Sequence, residues 1–165
     1  MSDNAVAATN RGLFDRSTKG LTVAPVFVPI ERGRIQFFAQ VLGITDPVHI
    51  DVNAARANGY PDLVAPPSFY MVIEAAANDE LKRTGQPSTF DRIGCDYRYL
   101  LHGDESYEYI GPIFAGDEVS LTTTVVDFYD KKGGAMEFVT LRSSIEHADR
   151  GVLVRATRNL LHRLG

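Results

Sequence analysis

Cysteine is nearly absent from this chain. Of 165 residues only Cys95 carries a thiol, so no internal disulfide can form. With no CxxC pair or Cys/His cluster, neither a zinc site nor a redox couple is expected, and the single thiol fits a cytoplasmic protein. A basic excess is missing too. Seventeen Lys and Arg stand against 21 Asp and Glu, a net charge of -4. No basic block could neutralise a run of phosphates, which argues against a nucleic-acid partner. No apolar run approaches the ~20 residues that span a bilayer, so no membrane partner is expected. The N-terminus, with Asp3 and no basic stretch ahead of an apolar core, does not read as a secretory signal. Internal repeats and low-complexity tracts are lacking as well.

What is present is an ordinary globular composition, 44% hydrophobic and 23% charged, at a length that suits one core. Residues 1–19 are polar and aperiodic and are expected to form a loose or peripheral arm; residues 20–165 form the single domain. Leu21 to Ile30 reads as a strand, confined to a sheet edge by Pro25 and Pro29. From Glu31, Ile35, Phe38 and Leu42 recur at helical spacing, and Gly43 supplies a stop. The loop ITDPVHID follows, then a short helical stretch near Asn53 to Asn58 closed by Gly59.

A second clear helix opens at Pro66, Pro67 and Ser68, where proline fits the first turn and the serine hydroxyl can cap it, and ends at Gly85. Between Phe69 and Ala77 only Glu74 is polar in the sense of carrying charge, so the helix belongs inside a wrapping sheet. Beyond Phe90 the pattern becomes long alternating strands separated by the turns KKGGA and DRG. Long antiparallel strands curving round one buried helix describe an α+β hot-dog fold.

The runs FAQVLGITDPVHIDVNAARANGYPDLVAPPSF and LLHGDESYEYIGPIFAGDEVSLTTTVVD, with Gly43, Asp46, Pro47, His49, Gly59, Ala65, Pro66 and Pro67 in matching order, resemble the MaoC-like hydratases and dehydratases. The closest branch is that of FAS1-like dehydratase N-terminal domains. The resemblance covers roughly residues 21–163. It implies (R)-3-hydroxyacyl-thioester dehydration or the reverse enoyl hydration, with a coenzyme A or acyl-carrier thioester as substrate, no cofactor and no metal. It also implies pairing with a second hot dog, as a homodimer or a heterodimer. By the same resemblance His49 and Asp46 are the catalytic pair, and Pro67, Ser68 and Phe69 bind the substrate. The amides of Ser68 and Phe69 would polarise the thioester carbonyl. His102 and Gly103 are singled out as further substrate contacts; a strand-entry residue bonding a buried backbone group is the other reading of His102.

One departure bears on chemistry. In catalytic members the loop reads Gly-Asp-x-Asn-Pro-aliphatic-His, whereas this chain reads Gly43, Ile44, Thr45, Asp46, Pro47, Val48, His49. Isoleucine stands at the Asp position and cannot accept a proton. A carboxylate displaced by two residues in a tight loop moves by several ångströms, while acid-base catalysis tolerates about one. Three functions therefore stay open: an active homodimeric hydratase using His49 and Asp46, a non-catalytic substrate-shaping subunit, and a hot-dog thioesterase or thioester-binding protein. Tyr97, Tyr99, Tyr107 and Tyr109 alternate along a strand, lining an acyl tunnel or packing on a partner sheet. His147 and His162 are expected to face solvent, and Cys95 has no neighbour in sequence that would activate it.

Overall fold

The computed structural model describes residues 12–165. Its centre is a five-stranded, wholly antiparallel sheet in the order β1-β3-β4-β5-β2. The strands are β1 (Thr22–Pro29), β2 (Leu100–Tyr109), β3 (Glu118–Lys131), β4 (Met136–His147) and β5 (Gly151–Arg163). As Pro25 requires, β1 lies at an edge, and its pairing with β3 slips between Val23 and Val26 around that proline. The other edge is β2. It starts at Leu100, earlier than the ESYEYI segment alone suggests, because a bulge between His102 and Asp104 lets Leu100 to His102 keep pairing with β5.

Four helices accompany the sheet: α1 (Arg32–Val41), α2 (Val52–Ala57), α3 (Tyr70–Arg83) and α4 (Thr89–Arg92). Helix α1 buries Ile35 and Ala39 and ends before Gly43, whose φ of +66° is the left-handed conformation of a helix stop. Helix α3 is the central helix of the hot dog. Ile73, Ala77 and Leu81 pack it on Val119, Leu121, Ile145 and Val154 of the sheet, each large aliphatic contributing about 1.5–3 kcal/mol through burial. The sheet covers one side of α3 only, since Ala75, Asp79 and Lys82 are exposed. Ser68 does not cap this helix. The N-cap is Phe69, without a side-chain hydrogen bond, and Ser68 sits outside at a φ of +69°.

The expected arm at residues 1–19 needs correction where it can be described; residues 1–11 lie outside the described residues. Phe14 is buried among Ile93, Val125, Val139 and Leu160 in a second apolar cluster. Its ring stacks 3.9 Å from that of His162. His162, expected in solvent, is fully buried. It shares strand parity with Ala156, Arg158 and Leu160, all inward on β5. Its Nδ1–H donates to Glu137 at 2.8 Å, and its Nε2 accepts the Asp96 amide at 2.9 Å. The Leu13 and Phe14 amides donate to the same Glu137 oxygen, at 2.5 and 3.0 Å.

Candidate functional site

His49 closes a single 3-10 turn, Pro47–His49, on the loop between α1 and α2. The turn forms because Pro47 fixes φ at its first position and the Asp46 carboxylate accepts the Val48 amide at 3.1 Å. A second segment pins the loop: the Val64 amide donates to the Val48 carbonyl at 3.1 Å, and the His49 Nδ1 lies 2.7 Å from the Val64 carbonyl oxygen. A carbonyl only accepts, so Nδ1 carries the hydrogen and Nε2 keeps the lone pair. The imidazole is thus held as a base or hydrogen-bond acceptor by a backbone group.

The half-buried ring borders a cleft of about 390 Å³. The walls are apolar, formed by Val64–Pro67, Phe69 and Tyr70 on one side and by Tyr109–Ile113 and Val154 on the other. Of the sequence-predicted site residues the cleft brings together His49, Pro67 and Phe69. Ser68 reaches it through its backbone: its amide donates to the Tyr109 hydroxyl at 3.0 Å. The Phe69 amide turns back to the Pro66 carbonyl at 3.1 Å. Both amides expected to face a thioester carbonyl are therefore engaged, the first by a side chain that a ligand can displace.

The remaining candidates lie elsewhere. The Asp46 carboxylate is exposed and capping the loop's own turn, so it does not border the cleft beside His49. Ile44 lines a separate groove with Gln36, Gln40 and Ile50. His102 and Gly103 enter β2 at the far end of the strand from Tyr109, roughly 20 Å away at ~3.3 Å per residue, and the His102 side chain is 61% exposed. Gly103 does permit a close approach, but to protein: a Cβ there would stand 2.8 Å from the Asn159 carbonyl. Its role is the bulge.

Two features escaped the sequence. The Val64 carbonyl that orients His49 leaves no trace in side-chain identity. The Tyr109 hydroxyl had a signal in its alternation with Tyr107, and the structure divides that tyrosine row. Tyr109 lines the cleft, Tyr107 stacks on Tyr109 and meets Tyr70 at a tilt, and Tyr97 and Tyr99 stay exposed. Burial, then the Glu105 hydrogen bond, pushes the Tyr107 phenol well above its usual range. Burial first, then the Asp96 and Asp91 carboxylates, pushes the Cys95 thiol up to about 11, away from the reactive thiolate form.

A sequence profile described as "FAS1-like, dehydratase domain region" matches residues 17–156. Among curated proteins, a "UPF0336 protein" of Clavibacter michiganensis is 36% identical over 143 residues, covering 86% of this chain and 91% of its own length. A "UPF0336 protein" of Streptomyces griseus is 32% identical over 151 residues, covering 91% and 95%. Among solved structures, a "MaoC-like dehydratase" superposes with a TM-score of 0.73 at 19% identity, over 89% of this chain and 42% of the other. The truncated HadBC (3R-hydroxyacyl-ACP dehydratase) complex of Mycobacterium tuberculosis gives 0.67 at 19% identity, over 87% and 96%. Among the described residues, no helix is long and apolar enough to cross a membrane.

Proposed function

The chain belongs to the family of FAS1-like dehydratase domains and shares the hot-dog fold of a MaoC-like dehydratase, and from that premise we propose that it is the thioester-holding half of a two-hot-dog (R)-3-hydroxyacyl dehydratase or enoyl hydratase. Its substrate is an acyl thioester of coenzyme A or of a carrier protein, and a second hot dog supplies the acid-base pair. The observation that carries this reading is the composition of the cleft. His49 is its one group suited to proton transfer near neutral pH, and among the described residues no carboxylate lines it. Hydration needs a base to activate water and an acid to protonate C2, and losing one partner of such a pair costs about 10²–10⁴ in rate.

What the cleft offers instead is binding. Its walls suit an acyl chain, and the Ser68 amide, released by Tyr109, can donate to a thioester carbonyl. A second reading, a homodimeric hydratase using His49 as its base, is favoured by one observation: the Val64 bond leaves Nε2 with its lone pair.

The β2 edge supports a protein partner. It is unpaired on its outer side among the described residues, and Leu101, Tyr109 and Ile110 on and beside it are 46%, 52% and 49% exposed. A long unpaired edge with exposed apolar side chains at both ends is a site where a partner strand can add. On a sizing column the purified chain is expected to elute as a dimer or larger at micromolar concentration, and to co-elute with a co-encoded hot-dog subunit when the two are mixed. A chain that stays monomeric alone and in the mixture would contradict the two-hot-dog assembly.

A further inference from the structure

Beyond the cleft, one turn further along α3, lies a buried charged cluster that the proposed function does not use. Arg158 of β5 is 4% exposed and Glu74 of α3 is 7% exposed, and the two form an ion pair. The hydroxyl of Tyr70, a residue that lines the cleft, donates to the same Glu74 oxygen at 3.3 Å. The other terminal nitrogen of Arg158 lies 3.7 Å from Glu105, whose carboxylate accepts the Tyr107 hydroxyl at 2.6 Å. The Arg158 guanidinium stands 5.6 Å from the centre of the Phe90 ring. Side chains from α3, β2 and β5 thus fill the space between helix and sheet where an apolar tunnel would have to continue.

We propose that this cluster is the floor of the acyl site, so that the ligand class is a short-chain acyl thioester whose hydrocarbon ends at Tyr70. The inference rests on the reading of the His49 cleft as the thioester site and adds the depth of that site. Three observations support it. First, Tyr70 both lines the cleft and bonds to Glu74, so part of the cleft wall is a side chain held from behind. Second, pushing a methylene chain past Tyr70 would separate Glu74 from Arg158 inside the protein, and an uncompensated buried charge is strongly unfavourable. Third, the space around the pair is already taken: the Arg158 guanidinium lies 5.6 Å from the centre of the Phe90 ring and 3.7 Å from Glu105. Helix α3 begins two residues after Ser68, and Glu74 lies four residues into it, about 6 Å at ~1.5 Å per residue, so a carbonyl placed at the Ser68 amide leaves room for a chain of only a few carbons.

The test is calorimetric titration of the purified chain, or of its complex where one co-purifies, with saturated acyl-CoA thioesters from butyryl to dodecanoyl. While carbons are still being buried, each two-carbon step tightens binding by up to about tenfold. The expected series rises from butyryl to hexanoyl and is flat, within about threefold, from octanoyl to dodecanoyl. In Glu74→Leu/Arg158→Ala, which removes both charges and opens apolar space, the rise should continue through decanoyl. A wild-type series that keeps tightening to dodecanoyl would overturn the closed floor while leaving the thioester reading intact. Absence of binding at every length would overturn the thioester reading, and the inference with it. Because the wild-type series decides the question, the proposal stays testable even if the double variant folds poorly.

Discussion

Glu137→Leu is expected to lower the unfolding free energy by on the order of 3–5 kcal/mol. Glu137 is fully buried, and one of its oxygens accepts three hydrogen bonds, from the amides of Leu13 and Phe14 and from His162. Leucine matches the carboxylate in bulk but accepts none of them, and each buried donor left without a partner costs about 1–3 kcal/mol. The substitution should also release the segment around Phe14, since the ring packs on the imidazole that Glu137 holds. Denaturant titration checks the first effect, and hydrogen exchange at Phe14 and Asp15 checks the second. Glu137→Gln, which keeps one acceptor, should fall between wild type and leucine. A leucine variant within about 0.5 kcal/mol of wild type, the range of ordinary surface substitutions, would show that the network contributes nothing to stability.

The second large effect concerns the floor of the cleft. Arg158→Leu alone should cost about 3–5 kcal/mol, because it strands Glu74 inside the protein with only the Tyr70 hydroxyl beside it. Glu74→Leu/Arg158→Leu should recover most of that loss, since replacing both members of a buried ion pair with apolar side chains is often neutral or stabilising. Chemical denaturation of the two single variants and the double variant gives a complete cycle. Additive losses in the double variant would mean that the two side chains act independently and that the pairing is incidental.

These two networks are also where the sequence is least legible. Helix α3 and its neighbours could be read from periodicity and from stops at Gly43, Gly59 and Gly85, and β1 could be placed at an edge from Pro25. Those features are local, so local chemistry reveals them. Phe14 lies in a polar stretch, and its burial depends on Glu137 and His162, which are more than 100 residues away. Strand parity along β5 would have turned His162 inward with Leu160, but a histidine near a terminus reads more readily as a surface residue. Asp46 is ambiguous in a different way. An Asp before a proline and three residues before a histidine fits both an acid-base pair and a turn cap, and the cap is visible only in the 3.1 Å bond to the Val48 amide. The hot-dog architecture was thus visible in the sequence, together with residues that meet at one cleft, His49, Pro67 and Phe69; Asp46, His102 and Gly103 do not line that cleft.

In the proposed function this chain holds the thioester and a second hot dog carries the acid-base pair. The direct measurement is loss of enoyl absorbance with crotonyl-CoA, for the purified chain alone and for its complex with a co-encoded hot dog bearing an intact Asp/His loop, each with and without His49→Ala. Turnover by the complex is expected about 10² or more above that of the chain alone, and the His49→Ala complex is expected within tenfold of its parent. An isolated chain that matches the complex and loses about 10²–10⁴ of its turnover on His49→Ala would contradict that reading and place catalysis in this chain.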